Sequence, residues 1–309
     1  MKKIYTSFFT ILFSLAAFGQ QIDNGSMENW DNLGSNDEEP SNWNSFMTAS
    51  GGLSDLASKQ VERSSDIRSG SSGMYSARVF SKDVFLGIIA NGNLTLGRIN
   101  MGSNIASSTS NYNYTDTGNS DFSQQLNSSP DSIVFWVKYN NSSSSDLARI
   151  KAIIHDDYDY VDPMTTESEP HVVADAALNF ESTNDSWVRK SVPFDYIGPA
   201  TTPEYILVTF TTNMIPGGGS DGDEIFIDDV ELIYNTSGLS NFQNKHWIAY
   251  NESGLLFSND FESDDFFRVF STSGSLISSG TSAQLSGMNL HRGMYLITNN
   301  KDSFKVVAH

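Results

Sequence analysis

From residue 22 to 236 the chain is built of short runs in which apolar and polar residues alternate. Such runs cover residues 74–80, 131–139, 148–155, 187–194, 205–211 and 224–232, each bounded by Gly, Ser, Asn or Asp. A period of two over such lengths predicts strands, and no 3.6-residue period is sustained anywhere in this stretch. Many short strands with turn residues between them predict a jelly-roll β-sandwich. The polar tracts 103–110 and 140–145 are predicted loops.

The alternation also assigns faces. In residues 133–139, Ile133, Phe135, Val137 and Tyr139 form the continuous apolar set and are the expected core. Trp136 and Lys138 fall on the opposite face. In the following run Arg149, Lys151 and His155 share a face, expected beside Trp136 and Lys138. In the last run, strict alternation puts Ile225, Ile227 and Asp229 on one side and Phe226, Asp228 and Val230 on the other.

After residue 236 the pattern restarts. Residues 266–270, 275–278, 293–297 and 303–307 read as strands, with a Ser273-Gly274 turn and a hairpin at 299–302. They predict a second, smaller Ig-like β-sandwich. At the other end, Lys2 and Lys3 precede a short apolar run that closes on small residues at Ala17 and Gly19. That is the layout of a secretory signal cleaved before Gln20, and it falls short of the ~20 apolar residues of a spanning helix. The expected organisation is a signal peptide at 1–19, a jelly roll at 20–236, an Asn/Ser/Gly hinge at 237–244 and a terminal domain at 245–309. No transmembrane segment is expected in the mature chain.

Composition narrows the chemistry. Cysteine is absent from the 309 residues, which excludes disulfides, thiol nucleophiles, thiolate metal sites and an N-terminal lipid-bearing cysteine. Net charge is −19, and residues 20–236 hold 11 Lys/Arg against 31 Asp/Glu. Such a domain repels phosphate backbones, so nucleic acid is not an expected partner. Hydrophobic residues at 38% and aromatics at 12% are enough for packed cores.

Two resemblances follow from particular phrases. Val269-Phe270, Ser273-Gly274-Ser275-Leu276-Ile277, Leu290-His291-Arg292-Gly293-Met294-Tyr295-Leu296-Ile297 and Lys305-Val306-Val307 resemble the type IX secretion C-terminal sorting domain of Bacteroidetes. The family often opens on Pro-Asn-Pro, where this chain reads Trp247-Ile248-Ala249-Tyr250-Asn251. The resemblance implies delivery through the periplasm and the type IX outer-membrane machinery to the cell surface or medium.

In the body, Asn24-Gly25-Ser26-Met27-Glu28-Asn29-Trp30, Gly73-Met74-Tyr75-Ser76-Ala77 and Phe226-Ile227-Asp228-Asp229-Val230 are similar to phrases of jelly-roll carbohydrate-binding modules. Together with Pro130-Asp131-Ser132-Ile133-Val134-Phe135-Trp136 and Val192-Pro193-Phe194-Asp195-Tyr196 they resemble the carbohydrate metabolism domain of secreted Bacteroidetes proteins. That resemblance implies a galactose-binding-like jelly roll and glycan contact, without a defined reaction. The resemblance to jelly-roll modules also implies a structural Ca²⁺ between an N-terminal Glu and a last-strand Asp. Glu28 with Asp228 or Asp229 are the matching residues, and the sequence does not choose between the two aspartates.

No catalytic signature stands out. Gly218-Gly219-Ser220-Asp221-Gly222 fits Gly-x-Ser-x-Gly, but a Pro-Gly loop precedes it and a strand pattern follows, unlike a nucleophile elbow. No two of the five histidines sit three or four apart. The expected function is a non-catalytic glycan-binding surface module. Trp136 would stack on a sugar, and Lys138, Arg149, Lys151 and His155 would favour acidic glycans. The alternatives are a glycan hydrolase using two carboxylates and an adhesion or matrix protein without a small ligand. Facing carboxylates beside an aromatic would mark the hydrolase, and a flat polar surface the adhesin.

Overall fold

Alternating strands need two faces, and the chain supplies them as two stacked antiparallel sheets. The computed structural model describes residues 19–143, 145–234, 248–251, 253–258, 261–299 and 303–308. The expected signal peptide, but for Gly19, and the expected hinge lie outside the described residues. The chain divides into two units, Met1–Asn235 and Thr236–His309.

In the first unit, one sheet has five strands in the order Val188–Pro193, Ser132–Asn140, Glu224–Ile233, Ser76–Phe80, Val61–Ser64. The other has four, in the order Val172–Phe180, Ala148–His155, Tyr205–Thr211, Asn93–Thr95. Their inner faces meet in a single core. Ile133, Phe135, Val137 and Tyr139 enter it from the first sheet, each 0% exposed, and Ile150, Ala152, Ile154, Val208 and Phe210 from the second. Phe135 and Phe210 meet edge to face across the layers at 5.2 Å. This is the jelly-roll sandwich that the alternation predicts.

A three-stranded sheet, Val161–Asp162, Asn111–Tyr114, Arg98–Met101, adjoins the four-stranded one. Ile153, Tyr160, Val172 and Leu207 form a small apolar cluster of their own.

The second unit packs around Leu255, Phe267, Val269, Ile297 and Val306. Its four-stranded sheet runs Leu276–Thr281, Phe266–Ser271, Gly293–Thr298, Ser303–Ala308, beside the hairpin Ile248–Asn251 and Gly254–Phe257. The expected strands form here with Gly293–Thr298 and Ser303–Ala308 paired. No helix among the described residues is long and apolar enough to cross a membrane.

Candidate functional site

The five residues expected to touch a ligand do not form one surface. The Ser132–Asn140 strand belongs to the five-stranded sheet and the Ala148–His155 strand to the four-stranded one. Odd positions of the first and even positions of the second point into the shared core. Trp136 and Lys138 therefore lie on one outer face of the sandwich, and Arg149, Lys151 and His155 on the opposite one.

On the five-stranded sheet, Lys138 is closed in. It is buried, its Nζ pairs with Asp66 and, at 2.9 Å, with Asp185, and it lies 4.4 Å from the centre of the Phe226 ring. Burial lowers the affinity of this amine for its proton, and the bonds to Asp66 and Asp185 more than restore it. A paired, enclosed ammonium has little left to offer a sugar. Trp136 is half-buried, with the Arg68 guanidinium 4.9 Å over its ring. Neither residue presents the open platform that the sequence suggests.

The expected calcium ligands sit nearby with other partners. Between Val134 and Trp136 the pairing with the last strand slips by a bulge, and Asp229 takes a positive φ of 46° there. The bulge resets the alternation. Val230 and Leu232 join Ile225 and Ile227 in the core, so strict alternation is wrong beyond Ile227.

Asp229 is bound by Arg68, whose Nε donates to its Oδ2 at 2.7 Å. Glu28 Oε1 accepts the backbone N–H groups of Met74 and Tyr75, both at 2.9 Å. Asp228 is 0% exposed and accepts from its neighbour's amide at 2.8 Å. Burial, and then the Asp229 charge, push its pKa up to about 6. A guanidinium already supplies the cation, and among the described residues no three acidic or histidine side chains converge. The Glu28, Asp228 and Asp229 set does not fit a calcium ion.

On the four-stranded sheet the picture differs. The register lays two rungs of side chains across its outer face. One is Asn179, Arg149, Thr211, Asn93; the other is Ala177, Lys151, Thr209, Thr95. Thr95 and Thr209 are buried and hydrogen-bonded to each other at 3.0 Å. Asn179 and Ala177 are exposed, and Arg149, Lys151 and Thr211 partly so. The adjoining three-stranded sheet borders this face. Its Asp162 pairs with Lys151, and its Asn113 accepts from Asn93 at 3.1 Å.

Arg149 Nε donates to Asn179 Oδ1 at 2.7 Å, and among the described residues no carboxylate pairs with it. His155 takes no part. It is 0% exposed, contacts Thr115 Oγ1 at 2.9 Å and stacks between Tyr160 and Tyr205. Burial lowers its pKa to about 4, so it stands neutral in the wall.

Sequence reasoning missed Asn93, Asn179, Thr211 and Asp162 as companions of Arg149 and Lys151. The signal was present in the polar positions of Thr209-Phe210-Thr211 and Asn93-Leu94-Thr95, inside otherwise apolar strands. Which strands lie side by side was not.

No family model and no curated protein sequence matches the chain. Among solved structures, a candidate glycoside hydrolase from Bacteroides thetaiotaomicron aligns at 17% identity and TM-score 0.44, over 63% of this chain and 63% of its own length. A candidate glycoside hydrolase from Bacteroides vulgatus aligns at 19% and 0.46, over 70% and 98%. The module TmCBM61, solved with β-1,4-galactotriose, aligns at 14% and 0.32, over 69% and 96%. At such values the site must be argued from its own residues.

Proposed function

We propose that the body is a non-catalytic glycan-binding module, with the outer face of the four-stranded sheet as its binding surface and acidic sugars as its preferred ligands. The observation that carries this reading is Arg149. Among the described residues it has no carboxylate partner, and it stands on a polar face in a domain rich in acids. A uronate or sulfate can take a charge-assisted, two-point bond from it, while Asn179, Lys151 and Thr211 address hydroxyls. The exposed part of these rungs holds no aromatic ring, which is the polar surface expected of an adhesion or matrix protein. What favours an acidic glycan over that reading is Arg149, with which no carboxylate pairs among the described residues. Affinity then comes from hydrogen bonds rather than stacking. Hydrolysis would need two facing carboxylates, and Asp162 beside this face is tied to Lys151.

Export follows the sequence resemblances. Residues 1–19 direct the chain to the periplasm, and residues 245–309 address it to the type IX machinery and the cell surface. The separate core of the second unit supports a self-contained address. A chain cut after residue 244 is expected to stay in the periplasm with its body folded. Normal surface delivery of that chain, read by fractionation, would remove the sorting role.

Binding is tested with a glycan array and titration of polygalacturonate and a sulfated polysaccharide. Arg149→Gln is expected to weaken binding of the acidic polymers roughly tenfold or more, as hydrogen bonds to charged groups contribute about 1.5–3 kcal/mol. The loss should be larger at low than at high salt. Equal binding by Arg149→Gln, or no glycan retained at all, refutes the reading.

A further inference from the structure

The four-stranded sheet of the second unit is apolar on both sides. Its inner face gives Phe267, Val269, Ile297 and Val306 to the core. The alternate positions point the other way, and five of them are large apolar residues. Phe266, Leu276, Met294, Leu296 and Val307 are 42–55% exposed. The register gathers them on one face. One rung is Leu276, Phe270, Leu296, Lys305, and Met294 stands beside Val307. The next rung is Ser279, Arg268, Thr298, Ser303.

A strand with one wet face alternates between apolar and polar residues, whereas a strand covered on both faces reads as a nearly continuous apolar run. Phe266-Phe267-Arg268-Val269-Phe270 and Met294-Tyr295-Leu296-Ile297 are of the second kind. So large an apolar group on an open sheet face marks a contact surface.

Charge selects what covers it. Arg268 and Lys305 are exposed, and among the described residues neither pairs with a carboxylate. The Arg268 guanidinium lies 5.7 Å from the centre of the Phe266 ring. No acid occupies a described position of these rungs, although the chain carries a net charge of −19. A second copy meeting this one face to face would bring the same two cations against them. A lipid layer would leave the hydroxyls of Ser279, Thr298 and Ser303 without partners, while a protein surface can return their hydrogen bonds. We propose that this face docks a flat apolar protein surface with carboxylates opposite Arg268 and Lys305, and that this surface belongs to the export machinery. The partner rests on the sorting role of residues 245–309; the face is a separate claim.

The test uses the full chain in cells that carry the type IX machinery. Arg268→Glu and Lys305→Glu each turn an attraction into a repulsion, and each is expected to cut the surface-delivered fraction roughly tenfold. Leu296→Ser should cut it as well. Arg189→Glu, the same charge change at an exposed position of the body, should leave delivery unchanged. Purified Arg268→Glu should melt as the unaltered chain does. Normal delivery of either glutamate variant, beside a periplasmic chain cut after residue 244, would overturn the face and keep the sorting role. Normal delivery of the cut chain would overturn both. Three other results would give the face to a different occupant and overturn the proposal. They are a dimer in light scattering that Arg268→Glu dissolves, binding of the purified chain to phosphatidylglycerol vesicles, and a shifted melting midpoint of the body in Arg268→Glu.

Discussion

Phe135→Ala is expected to cost the body about 3–5 kcal/mol and to lower its melting midpoint by roughly 10 °C or more. The ring is 0% exposed at the centre of the sandwich. It meets Phe210 of the facing sheet at 5.2 Å and Phe180 at 6.2 Å, so its loss opens a cavity between layers that neither strand can close alone. The neighbouring change, Trp136→Ala, should cost much less, about 1–2 kcal/mol. That ring is half-buried on the outer face, and the Arg68 guanidinium covering it can re-solvate. Thermal melts of the two variants side by side check the face assignment. Equal destabilisation would place Trp136 in the core and reverse it.

The same strand shows how far the sequence reaches. Alternation within Ser132–Asn140 is enough to sort Phe135 from Trp136, because pleating is a local property of the backbone. It says nothing about which sheet a strand joins. In this jelly roll the Ser132–Asn140 and Ala148–His155 strands follow each other in sequence but fall in opposite layers. Two correct outward assignments therefore gave one wrong surface. Lys138 shows a second limit. Its partners Asp66 and Asp185 come from distant parts of the chain, so its charge looked free when it was not. At Asp229 a bulge defeats the period itself, and no residue type there announces it. The polar rungs around Arg149 needed the register of four strands, Asn93–Thr95 among them, before they could be seen as one face.

Asp228 should make a large contribution to the pH response of the body, one that His155 offsets in the unaltered protein. The Asp228 carboxyl is buried, and its pKa is pushed from 3.8 up to about 6. Between those values the folded state holds a proton that the unfolded chain has released. Stability from this group is therefore full at low pH, falls as pH rises through the window, and stays lost above it. His155 has the opposite sign. Burial lowers its pKa from 6.5 to about 4, so the unfolded chain binds the extra proton in that range, and stability falls as pH drops. At about 1.4 kcal/mol per unit, each effect amounts to roughly 3 kcal/mol, and the two windows nearly coincide. Asp228→Asn keeps the acceptor for the Asp229 amide and removes the buried charge. It should raise stability at pH 7 by up to about 3 kcal/mol and lose that advantage by pH 4. With Asp228 gone, the acid destabilisation from His155 should stand uncovered as a steep fall in melting midpoint between pH 6.5 and 4. Melting curves that run parallel for the two chains across this range would show that Asp228 carries no buried charge.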